Sequence, residues 1–164
     1  MKEIHPHHLF DAVVWTAGLM FLIVLAVHGA HAGEHRYDNA NTVYRAECGS
    51  CHVAYPPALL AEPAWNRVLD TLDRHYGTDA SVDAAARKSI RDFVTSRADR
   101  RRSAKPAANA EPPRITTSRW FVREHREAGR AWTNPKIKSA ANCDACHAQA
   151  AVGDFAESTL RLPR

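Results

Sequence analysis

Sixteen apolar or small residues without a charge, Ala12 to Val27, open the hydrophobic pattern of this chain, and every later apolar segment is short and periodic. Between Pro63 and Gly77, the residues Trp65, Val68, Leu69, Leu72, His75 and Tyr76 recur at helical spacing on one face. This predicts a helix with His75 facing inward in its last turn and Gly77 as its stop. Ser81 to Arg97 predicts another amphipathic helix, with Val82, Ala86, Ile90, Phe93 and Val94 inward and Asp83 near its positive end. Ser118 is placed as the N-cap of a short helix from Arg119 to roughly Ala128. There Phe121, Val122 and His125 share a face, while Arg123, Arg126 and Arg130 take the other side. No strand signal exceeds a few residues, so the expected fold class is all-α, with few short helices and no significant sheet.

The opening run is shorter than the roughly 20 residues that usually span a bilayer. It is followed by Ala30-His31-Ala32, a small-x-small pattern of the kind signal peptidase cleaves. Residues 1–32 are therefore expected to be a signal peptide, and residues 33–164 the exported domain. The alternative is a retained N-terminal membrane anchor over about residues 9–28, since Leu9 and Phe10 lengthen the apolar segment past Asp11.

Composition then poses a difficulty. Residues 33–164 hold only 19 Val, Leu, Ile and Phe among 132 positions, a share below the roughly 20 percent at which a chain struggles to bury enough surface to fold. From Arg97 to Arg114 the sequence turns to Arg, Ala and Pro, which marks a basic linker. Without the leader the chain carries 21 basic and 16 acidic residues, too mild an excess to imply a nucleic-acid partner. Arg100, Arg101, Arg102 and Lys105 of the linker could dock an acidic redox partner or anionic lipid, or form a solvated loop. Lys136 and Lys138 are better placed to steer a partner.

The cysteines change the picture. All four fall in two pentapeptides, Cys48-Gly49-Ser50-Cys51-His52 and Cys143-Asp144-Ala145-Cys146-His147, each with the spacing of a c-type haem attachment site. Cysteines three apart lie on one side of a helical turn and reach the two vinyl groups of one porphyrin, and the following His is positioned to ligate the iron. Zinc binding and a thioredoxin-like dithiol are the competing readings of Cys-x-x-Cys. Two copies with His directly after each and no cysteine left over favour two covalently bound haem c. Two porphyrins would also supply the missing core, with Tyr44, Trp65, Tyr76, Trp120 and Trp132 as packing partners. A largely unfolded haem-free chain is the corollary.

A haem held by one His has an open axial position, and its occupant separates carrier from enzyme. Met1 and Met20 both lie in the leader, so the exported domain has no Met ligand. Of ten histidines, five precede Gly33, and His52 and His147 belong to the motifs. His35, His75 and His125 remain for two positions. His35 lies near the new chain end, where order is poor, so His75 and His125 are the expected distal ligands. Local pairing, His52 with His75 and His147 with His125, is the simpler arrangement, with crossed pairing open.

Three segments carry a family likeness: Trp65 to Ser81, Ser118 to Glu127, and Lys138 to Ala150. Through them the chain resembles the periplasmic dihaem cytochromes c that partner the sphaeroides haem protein, an oxygen-binding monohaem cytochrome. The resemblance spans most of residues 44–158. It implies bis-His ligation of both haems and electron transfer to a soluble partner cytochrome, with a membrane b-type cytochrome as donor. The expectation is a periplasmic electron carrier without catalytic residues. Its rivals are a dihaem peroxidase-like enzyme, which needs a displaceable axial ligand, and the small dihaem subunit of a periplasmic nitrate reductase.

Overall fold

A computed structural model describes residues 36–100 and 113–163. The proposed leader, His35 and residues 101–112 of the basic linker lie outside these described residues.

Three helices build the first half. Helix α1, Thr42–Cys48, starts where the Asn41 side chain accepts the Tyr44 backbone N–H at 2.7 Å, satisfying one of the donors a helix start leaves unpaired. Helix α2, Glu62–Asp70, starts with Glu62 and Pro63 in its first turn, where the missing proline N–H costs nothing. Helix α3, Ala84–Arg97, is capped by Asp83, whose carboxylate accepts the Ala86 N–H at 2.8 Å. Tyr44, Trp65, Leu69, Leu72, Ile90, Phe93 and Val94 converge into one buried cluster with Ala54 and Leu60. Each such aliphatic or aromatic side chain contributes about 1.5–3 kcal/mol by leaving water. Buried polar atoms find partners there: the Trp65 indole donates to the Pro57 carbonyl at 2.7 Å, and the Tyr44 hydroxyl donates to the Tyr55 carbonyl.

The second half is built differently. Its one α-helix, α4, Arg119–Glu124, is followed by 3-10 turns at Arg126–Thr133, Cys143–Ala145, Ala150–Val152 and Glu157–Thr159. Its buried apolar side chains are Phe121, Ile137 and Ala150. Backbone ties to other segments hold it: Arg161 N–H donates to the Cys146 carbonyl at 2.7 Å, and Tyr37 N–H to the Gly153 carbonyl at 2.9 Å. Gly153 takes φ of +79°, and a Cβ there would lie 2.4 Å from the Tyr37 carbonyl oxygen, so only glycine fits. The side chains of Arg36 and Asp154 add an ion pair at 3.2 Å.

The described residues contain isolated bridges and no strand, and the fold is all-α. Element boundaries depart from the sequence reading in three places. Helix α2 ends at Asp70, where Thr71 leaves helical geometry and its hydroxyl turns back to the Arg67 carbonyl at 2.8 Å. His75 therefore follows a separate 3-10 turn, Leu72–Arg74, instead of closing a long helix, and Tyr76 is exposed with φ of +49°. Helix α3 begins three residues after Ser81, because Asp83 acts as its cap. Helix α4 stops at Glu124, and Val122 is 61% exposed instead of sharing the buried face of Phe121. Tyr44 and Trp65 are engaged by the polypeptide core, where their rings meet edge to face at 6.3 Å.

Candidate functional site

The first Cys-x-x-Cys-His motif straddles a helix end. Cys48 is the last residue of α1, Gly49 caps it, and Cys51 and His52 lie in the following turn. A helical turn across both cysteines was expected; here it is interrupted after the first. The ring of His52 faces that of His75, with centroids 6.2 Å apart and planes 18° from parallel. The Nδ1 of His52 lies 2.8 Å from the Val53 carbonyl oxygen, so the protonated nitrogen donates there and Nε2 is left free for a metal. Burial, and then the neighbouring His52, hold the His75 imidazole below its ordinary pKa.

The second motif forms a turn of its own. Cys143–Ala145 is 3-10, and the His147 N–H donates to the Cys143 carbonyl at 2.8 Å. Across from it, His125 ends α4, and its ring centroid lies 6.1 Å from that of His147, with planes 80° apart. The Nδ1 of His125 lies 2.9 Å from the Phe121 carbonyl oxygen, which again leaves Nε2 available. Phe121 stacks on His125 at 4.0 Å, and Phe155 lies 5.1 Å from His147.

Both ring separations match a shared metal. If two imidazoles bound one metal from opposite sides through bonds of about 2 Å, with each ring centre about 1.1 Å behind its nitrogen, their centroids would lie about 6 Å apart. The chain thus brings His75 to His52 and His125 to His147, each pair beside its own cysteine pair. His35 lies outside the described residues. Among the described residues no group of three or more His, Cys, Asp or Glu side chains gathers as a zinc site requires. None of the four cysteines is tied up in a disulfide, so all four sulfurs are available for thioether bonds to porphyrin vinyl groups. Burial, helped by Glu47, pushes the Cys48 thiol up to about 11, and burial with Asp144 does the same for Cys143. These thiols and paired imidazoles fit two covalently attached haems.

Sequence reasoning missed two aromatic neighbours. Phe155, eight residues after His147, is one. The other is Tyr55, whose ring stacks on His52 at 4.6 Å and 17° and whose hydroxyl donates to the Ala141 carbonyl at 2.7 Å. Burial holds its phenol far above the ordinary range. The short interval His52 to Tyr55 was a usable signal for the stack, and nothing local announced the bond to Ala141.

The dihaem cytochrome c family matches over residues 44–155. No curated protein matches the chain. Among solved structures, the chain is similar to the dihaem cytochrome c of Shewanella baltica, at 36% identity and a TM-score of 0.64, over 75% of this chain and 93% of that one. It is also similar to the dihaem cytochrome c of Rhodobacter sphaeroides, at 33% identity and a TM-score of 0.62, over 73% of this chain and 99% of that one. With the match spanning both cysteine pairs and both histidine pairs, the chain belongs to the dihaem cytochrome c family and carries two covalently bound haem c groups.

Proposed function

We propose that the protein is an exported single-electron carrier in which His52 and His75 ligate one haem iron and His147 and His125 the other. The observation that carries this reading is the pair of ring separations, 6.2 Å and 6.1 Å. Bound haem supplies a one-electron iron couple whose potential depends on its axial ligands. The chain's own contribution is to fill both axial positions, which leaves no open coordination site for a substrate and argues against peroxidase-like chemistry. The carbonyls of Val53 and Phe121 orient His52 and His125 by engaging Nδ1, the kind of outer contact that holds a ligating ring at one angle.

The same reading includes a membrane b-type donor and a soluble partner cytochrome, with residues 1–32 directing export. Charge supports a docking side. Residues 36–100 carry nine basic and nine acidic side chains, whereas residues 113–163 carry eight and five. The second half is therefore the side for an acidic partner, where Arg126, Arg130, Lys136 and Lys138 lie within six residues of the 41% exposed Trp132 along the sequence.

Replacing each distal ligand tests the proposal. His75→Ala and His125→Ala should each convert one haem of two to a five-coordinate, carbon-monoxide-binding form when reduced, and the double variant both. Wild-type binding of carbon monoxide at either haem, or single variants that bind none, would refute the ligand assignment.

A further inference from the structure

Tyr55 touches both haem segments at once. Its ring lies against the imidazole of His52, and its hydroxyl donates to the carbonyl of Ala141, 86 residues away and two before Cys143. The backbone at its other side is fixed as well: the Tyr55 carbonyl accepts the hydroxyl of Tyr44, one of the most deeply buried side chains of the first core. Tyr55 therefore runs from the rigid helical core, past the first motif's histidine, to the loop that leads into the second motif.

We infer that Tyr55 is a positioning residue that fixes the two haem-binding segments relative to each other and so sets the coupling between the two redox centres. The inference rests on His52 being an axial ligand, as proposed above. The segment it holds needs holding. Residues 138–142 contain no helix, Lys138 takes φ of +62°, and the turn is closed by the Ser139 N–H to the Ile137 carbonyl and the Asn142 amide to the same oxygen. The Tyr55 hydroxyl gives this segment a direct side-chain bond to the first half. Proximity acts on redox centres through charge: in the low-dielectric interior, reducing one centre shifts the other by an amount that grows as their separation shrinks. A strut at fixed length makes that shift a designed constant.

Two variants separate the hydroxyl from the ring. Tyr55→Phe keeps the stack on His52 and removes the bond to Ala141, and Tyr55→Leu removes both. In the haem-loaded protein, hydrogen exchange of the Ala145, Cys146 and His147 amides should speed up about threefold to tenfold in Tyr55→Phe, as expected for one lost hydrogen bond. The amides of Ile90 and Val94 should be unchanged. The separation between the two midpoint potentials should change in both variants, while optical spectra stay those of the wild type. Unchanged exchange at residues 145–147 together with an unchanged potential separation would overturn the inference. A wild-type spectrum showing an open axial site would instead sink the ligand reading on which it rests.

Discussion

Residues 36–100 and 113–163 each present one Cys-x-x-Cys-His motif and one facing histidine, yet they are held together by different means. The first half owns a core: Tyr44, Leu69, Ile90 and Val94 are almost wholly buried between α1, α2 and α3. The second half buries little beyond Phe121, Ile137 and Ala150, leaves Val152 and Leu162 more than 60% exposed, and spends its backbone on 3-10 turns. Short 3-10 turns have poorer hydrogen-bond geometry than α-helix and do not persist alone. The contrast teaches where the porphyrin matters as structure. A haem bound at the first site would sit beside a polypeptide core, whereas one at the second would have to supply much of the core itself.

The largest effect should come from removing the second attachment. In Cys143→Ala/Cys146→Ala, amide exchange should lose protection throughout residues 143–153 while Ile90, Phe93 and Val94 keep theirs. Loss of both regions together would break the distinction. Next, Leu69→Ala should cost about 2–5 kcal/mol in a denaturant titration, because the three-helix cluster cannot close over the cavity. Val122→Ala in the second half should stay within about 0.5 kcal/mol, since that side chain already faces water.

Smaller effects concern surfaces. Reversing Arg126 and Arg130 to Glu should slow electron exchange with an acidic partner about tenfold at low salt, and the loss should fade as salt is raised. Arg74→Glu in the neutral half should change the rate little. Smallest is a pH effect in the first half. The Arg97 guanidinium, and then the Ala40 N–H, hold the exposed Asp38 carboxyl below its ordinary value. A carboxyl lowered in the folded state stabilises above its unfolded value of about 3.9, and that contribution disappears as pH falls through the lower folded value. Solvent screening keeps it under about 1 kcal/mol. Comparing Asp38→Asn with the wild type between pH 6 and 3 should show the difference shrink toward acid.

Much of the site was legible because its chemistry is local. The cysteine spacing and the scarcity of histidine and methionine outside the leader left His75 and His125 as the expected partners, and the structure sets each beside its motif. The Ser118 cap was equally readable, and its hydroxyl accepts the Phe121 N–H at 3.1 Å. Helix extents were harder. Periodicity ran through Thr71 and Glu124 because apolar spacing does not register where the backbone leaves helical geometry, as it does at Thr71 with φ of −125° and at His125 with φ of −97°. Tyr55 was invisible for a different reason: its partner lies 86 positions away, and only tertiary packing brings them together.

The central claim is that both irons are closed by imidazole pairs, one with nearly parallel rings and one with nearly perpendicular rings. Ring orientation controls how evenly the two ligands perturb the iron orbitals, so parallel and crossed pairs give different low-spin anisotropies. Electron paramagnetic resonance of the ferric protein at low temperature reads this directly. Two distinct low-spin signals of equal intensity are expected, the more rhombic lost in His75→Ala and the more axial in His125→Ala. A stable high-spin signal from the wild-type protein would contradict the account.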